Sequence, residues 1–66
     1  METVFIDCQS VKNVREAKGV IMENLRLLKS PCFVDLNTVD GKRHYYAEKS
    51  NIGLQGAGWI VVERKT

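Results

Sequence analysis

The segment formed by residues 32–49 constrains the fold most, because it has the pattern of a single β-hairpin. Apolar and polar side chains alternate on both sides of the dipeptide Asp40-Gly41. Asp-Gly supplies the positive φ angles that a two-residue hairpin turn needs. We therefore predict two antiparallel strands with Asp40 and Gly41 at the tip, so that Val39 pairs with Lys42.

This register gives the hairpin one apolar face and one mostly polar face, because side chains along a strand alternate between the two sides. The predicted apolar face carries Cys32, Val34, Leu36, Tyr45 and Ala47, with Leu36 opposite Tyr45 and Val34 opposite Ala47. The predicted polar face carries Phe33, Asp35, Asn37, His44, Tyr46 and Glu48. A ribbon with one apolar side needs a second layer to cover it, which favours an α+β fold.

The covering layer is predicted to be a helix that begins near Asn13, with Ser10 as an alternative N-cap. Asn is a favoured N-cap, and Glu16 follows three residues later, as in a capping box. Apolar residues then recur at spacings of three and four, which is the stripe of a helix facing a core: Val14, Ala17, Ile21, Leu25 and Leu28. Pro31 is predicted to set the end of the helix, because a proline disfavours helical geometry in the residue before it.

Two further strands complete the predicted order β-α-β-β-β. Before the helix, Val4, Ile6 and Cys8 alternate with Thr3, Phe5 and Asp7, where Phe5 interrupts an otherwise polar side. After a glycine-rich connection, residues 59–63 form the last strand, which is apolar from Trp59 to Val62. We predict a single small α+β domain over residues 1–66, in which one helix packs on a three- or four-stranded, mainly antiparallel sheet.

Composition and charge exclude several classes of protein. The net charge is +2 and the isoelectric point is near 8.7. Strongly basic nucleic-acid-binding domains usually have an isoelectric point above about 9, so the overall charge does not by itself indicate such a domain. No apolar run approaches the roughly 18 residues of a membrane span. The first residues also lack the basic and apolar regions of a secretory signal. We therefore expect a cytoplasmic protein that does not bind membranes.

The apolar residues outnumber what one helix can cover. Those left over are Phe5, Phe33, Tyr46 and either Trp59 with Val61 or Ile60 with Val62. Either the glycine-rich connection of residues 50–58 folds back over this second face, or another subunit covers it. A large uncovered apolar patch is unusual on a monomer, so we expect a homodimer or higher oligomer. The leading hypothesis is a small non-enzymatic module that binds a protein partner or itself. Its predicted contact residues are Phe33, His44, Tyr46 and Trp59.

A second hypothesis is nucleic-acid binding, because residues 42–46 of the hairpin combine basic and aromatic side chains. Lysine and arginine neutralise phosphates, and exposed aromatic rings stack on unpaired bases. The residues predicted for this role are Lys42, Arg43, His44, Tyr46, Arg64 and Lys65.

Catalytic and metal-binding signals are weak. His44 is the single histidine, and strand alternation places it on the opposite face from Cys32. Zinc sites need four ligands, commonly in close pairs, which two isolated cysteines do not provide. The glycines of residues 53–58 precede a strand, whereas phosphate-binding glycine loops precede a helix.

We therefore predict no catalytic residue, no metal and no cofactor. The cysteines are in phase with apolar neighbours, which favours buried thiols over a disulfide. The third hypothesis is an enzyme whose site is completed across a subunit interface, with Cys8, Asp7 or His44 involved.

Overall fold

The computed structural model describes residues 1–26, 30–51 and 57–65. The elements are β1 (Thr3–Asp7), α1 (Val14–Asn24), β2 (Cys32–Thr38), β3 (Gly41–Asn51) and β4 (Ala57–Glu63). The four strands form one sheet in the order β1-β2-β3-β4. The pair β1/β2 is parallel, and the other two pairs are antiparallel. The predicted α+β class and element order are confirmed.

The helix begins where the sequence predicts. Asn13 is the N-cap, and its Oδ1 accepts a hydrogen bond of 2.9 Å from the backbone N–H of Glu16. The Glu16 side chain in turn accepts from the backbone N–H of Lys12 at 3.0 Å. These two bonds satisfy donors that have no partner inside a helix.

The predicted helix end at Pro31 is wrong, because α1 already ends at Asn24. Leu25 has left helical geometry at φ −120° and ψ 37°, although its N–H still bonds to the carbonyl of Ile21. The Asn24 side chain donates to the carbonyl of Val20 at 2.8 Å. A side chain that bonds the last carbonyls competes with further helical turns. Leu28 lies outside the described residues.

The core lies between α1 and one face of the sheet. Ala17 and Ile21 of the helix are fully buried. All five hairpin residues predicted to face inward are buried, and Ile6 and Val11 complete the set. The buried residues of this core are Ile6, Val11, Ala17, Ile21, Cys32, Val34, Leu36, Tyr45 and Ala47. The prediction of the two hairpin faces is confirmed.

The predicted hairpin register is wrong by two residues. Thr38 pairs with Gly41, so Val39 and Asp40 are the central residues of the turn. The pairs that follow are Leu36 with Arg43, Val34 with Tyr45 and Cys32 with Ala47. A slip of two residues keeps every side chain on its predicted face, because the side-chain period of a strand is two.

The turn owes its position to Thr38 and Gly41. Thr38 Oγ1 accepts from the N–H of Asp40 at 3.1 Å and donates to the carbonyl of Gly41 at 2.7 Å. Among the described residues, Gly41 is the sole residue with positive φ, at 124°. This places the glycine directly after the turn, as in three-residue hairpin loops that end in a glycine bulge.

Two glycine substitutions should change stability in opposite directions. Gly41→Ala should lower the free energy of unfolding by about 1–2 kcal/mol, because a Cβ is strained at φ 124°. Gly19→Ala should raise it by about 1 kcal/mol, because Gly19 is helical and an added Cβ meets no atom within 4 Å. Urea denaturation measures the free energy of unfolding of both variants. Equal effects of the two substitutions would contradict the assignment of backbone strain to Gly41.

Candidate interaction surface on the open sheet face

The sheet has one face that no described element covers. Its side chains alternate with those of the core, and we call this surface the open face. From β1 to β4 it comprises Thr3, Phe5, Asp7, Phe33, Asp35, Asn37, Lys42, His44, Tyr46, Glu48, Ile60 and Val62. Apolar side chains on it are accessible: Phe5 is 62% exposed, Val62 53% and Ile60 41%.

Aromatic side chains form the centre of the open face. Phe33 and Tyr46 lie opposite each other on β2 and β3, and their rings meet edge to face with centroids 6.4 Å apart. The guanidinium carbon of Arg64 lies 3.8 Å from the centroid of the Phe33 ring. Arg64 follows β4, and its N–H bonds to the carbonyl of His44 at 2.7 Å. This contact extends the β3/β4 pairing by one residue and holds the cation over the aromatic ring.

Most polar groups of the open face bond to one another. His44 Nδ1 lies 2.8 Å from Asp35 Oδ1, and Asn37 donates to Asp7 Oδ1 at 3.0 Å. The Tyr46 hydroxyl donates to Glu48 Oε1 at 2.7 Å. This hydrogen bond, followed by partial desolvation and the Glu48 charge, raises the pKa of Tyr46 above its ordinary value of 10.0.

The Tyr46–Glu48 pair predicts a pH effect. Because the folded pKa of Tyr46 is raised, its contribution to stability is present below pH 10.0 and is lost as pH rises through that pKa. Glu48→Gln should lower the pKa of Tyr46 toward its ordinary value. An NMR titration of the Tyr46 ring carbon bearing the hydroxyl measures this shift. An unchanged midpoint in Glu48→Gln would contradict the role of the carboxylate.

The structure brings some predicted contact residues together and separates others. Phe33, His44 and Tyr46 share the open face. Trp59 lies on the opposite face, where it packs against the core. The Nζ of Lys49 lies 5.9 Å from the centroid of the Trp59 ring. The pairing of Tyr46 with Val62 therefore puts Val62 and Ile60 on the open face instead of Trp59 and Val61.

The residues predicted for nucleic-acid binding lie around the start of β3 and the end of β4. Arg43 pairs with Leu36 on the helix-covered side and forms an ion pair of 3.7 Å with Glu63. Lys42, His44 and Tyr46 are on the open face, and Arg64 reaches Phe33 there. Lys65 follows Arg64 and is exposed.

Three exposed apolar residues of the open face were absent from both predicted contact sets: Phe5, Ile60 and Val62. Phe5 has a sequence signal, because it interrupts the polar side of an alternating strand. Ile60 and Val62 belong to a continuous apolar run, in which alternation does not tell the two faces apart.

The residues considered for catalysis do not form a site. Cys32 is buried on the helix-covered face, where burial, and then the charge of Glu2, raises the pKa of its thiol above 9.0. A raised pKa opposes the thiolate form that acts as a nucleophile. Cys8 is half-buried and also packs against the core, away from His44. Within residues 1–26, 30–51 and 57–65, no three His, Cys, Asp or Glu side chains are placed to hold a metal ion.

The described part of the chain contains no helix that is long and apolar enough to cross a membrane. Comparison of the chain with protein-family models, curated proteins and solved structures finds no match. The site must therefore be interpreted from its own residues.

Proposed function

We propose that this chain is a small non-enzymatic protein-interaction module that self-associates by packing the open faces of two copies against each other. The observation that carries the proposal is the exposure of Phe5, Ile60 and Val62 on the same face as the Phe33–Tyr46 pair. Covering such a patch is the usual reason for association of a small sheet domain.

The charges on the open face support a second copy as the occupant. Asp7 and Asp35 lie on β1 and β2, whereas Lys42 lies on β3 and Arg64 follows β4. A two-fold axis parallel to the strands places β1 of one copy over β4 of the other. The β1/β2 half of each face, with Asp7 and Asp35, then meets the β3/β4 half of its partner, where Lys42 and Arg64 outnumber Glu48, which is the charge self-complementarity of a two-fold interface.

The size of the face also supports this occupant. Four strands about 4.8 Å apart, each with about seven residues rising about 3.3 Å, give a face of roughly 19 by 23 Å. The flat areas of two such faces add up to roughly 900 Å², and the uneven surface of the side chains increases the area that is buried. This is close to the roughly 1,000 Å² that a specific interface needs, so we expect a reversible dimer.

The module is proposed to act in the cytoplasm, where Cys8 and Cys32 stay as free thiols. An enzyme with a site shared between subunits has less support, because His44 lies on the opposite face of the sheet from Cys32.

Sedimentation equilibrium of the 66-residue chain tests the proposal. The weight-average mass should rise with protein concentration from 7.5 kDa toward twice that value. Thermal stability should rise with concentration as well, because association favours the folded state. A mass of 7.5 kDa at submillimolar concentration would overturn the proposal.

A further inference from the structure

A basic surface lies where the start of β3 meets the end of β4. Antiparallel pairing brings together two runs that are distant in sequence, since Tyr45 pairs with Glu63 and His44 bonds to Arg64. They line a depression of about 570 Å³ formed by Lys42, Arg43, His44, Glu63, Arg64 and Lys65. Four basic residues and one acidic residue therefore line the same depression.

Most of this positive charge is available to a ligand. Arg43 is partly neutralised by Glu63, at 3.7 Å. Within the described residues, Lys42, Arg64 and Lys65 form no ion pair. The guanidinium carbon of Arg64 lies 3.8 Å from the centroid of the Phe33 ring, and a guanidinium group over a ring can still donate hydrogen bonds in its own plane.

We propose that this depression binds the phosphates of a single-stranded nucleic acid. Arginine and lysine are the side chains that bind phosphate oxygens best, and here two of each lie around one concavity. Phe33 and Tyr46 lie beside it, and aromatic rings next to cations are the usual combination in proteins that bind single strands. A phospholipid surface fits less well, because it offers no bases to stack on the neighbouring Phe33 and Tyr46 rings.

This inference goes beyond self-association and can fail independently of it. The acidic side chains Asp7, Asp35 and Glu48 occupy other parts of the open face, so phosphate binding is confined to the depression. Because Lys42 and Arg64 are also part of the proposed dimer contact, a bound nucleic-acid strand and a second copy of the protein compete for these two side chains. An excess of oligonucleotide should therefore lower the mass of the self-associated protein.

Fluorescence anisotropy with a labelled oligothymidylate, measured over a range of salt concentrations, tests the proposal. Three unpaired cations predict a slope of log K against log salt of about −2, at about 0.7 per phosphate contact on single strands. The double variant Lys42→Gln/Lys65→Gln should bind more weakly and reduce the slope to about −0.7.

The matched control is Lys12→Gln/Lys18→Gln, which removes the same charge from the region of α1. It should keep the slope of the unmodified chain. Equal losses in both double variants would overturn the site, as would binding to phosphatidylserine vesicles without binding to the oligonucleotide. Circular dichroism confirms that each variant is folded, and sedimentation of the same samples separates loss of phosphate binding from loss of self-association.

Discussion

Replacing Leu36 with Ala is expected to lower the free energy of unfolding by about 3 kcal/mol, within the range measured for buried Leu→Ala changes. Leu36 is fully buried and lies on β2, between its neighbours Ile6 on β1 and Arg43 on β3. Its loss removes apolar contacts and leaves a cavity under α1. Because a domain of this size has little stability to lose, we expect a large fraction of the variant to be unfolded at room temperature. Urea denaturation followed by circular dichroism measures the change.

Tyr45→Phe is the matched control within the same core. Tyr45 is also fully buried, and its hydroxyl has no hydrogen-bond partner in the described structure. Removing an unpaired buried hydroxyl while keeping the ring should leave stability unchanged or raise it by up to about 1 kcal/mol. The placement of the core under α1 would be contradicted if Leu36→Ala had no more effect than Tyr45→Phe.

The elements that the sequence predicts correctly are those decided by local chemistry. The start of α1 follows from the side chains of Asn13 and Glu16, which are close in sequence and bond as expected. The two faces of the hairpin follow from strand alternation, and this prediction survives a pairing register that is wrong by two residues. Local rules of this kind need no knowledge of the rest of the fold.

The errors arise where a single side chain or a distant strand decides the outcome. The turn depends on the Thr38 hydroxyl, which bonds on both sides of it and moves Gly41 to the position after the turn. The helix ends early where the Asn24 side chain bonds the carbonyl of Val20. Neither effect changes the periodicity of apolar residues, on which the predictions depended.

The candidate site could be predicted only in part for a similar reason. Phe33, His44 and Tyr46 follow from the alternation of the hairpin. The orientation of β4 depends on its pairing with β3, which matches Tyr46 with Val62 and Ala47 with Val61. Three consecutive β-branched residues carry no alternation, so the sequence could not exclude Trp59 from the contact surface.

The orientation of β4 leads to the second large expected effect, which is the loss of self-association in Val62→Lys. Val62 is 53% exposed beside Tyr46, at the position where the proposed two-fold axis brings Thr3 of the second copy. Lysine replaces apolar contact area with a charge that would have to be desolvated in the interface. The substitution occurs twice in a dimer, so we expect the dissociation constant to rise by at least about tenfold, or about 1.4 kcal/mol. Sedimentation equilibrium measures the dissociation constant of the dimer.

Val39→Lys provides the control, because Val39 is 70% exposed in the hairpin turn and away from the proposed contact. It makes the same chemical change and should leave the dissociation constant unaltered. Val62→Thr keeps the β-branched shape and adds only a hydroxyl, so it should fold normally and weaken association to a smaller degree. If Val62→Lys remained folded and associated as tightly as Val39→Lys, the open face would not be the surface that joins two copies.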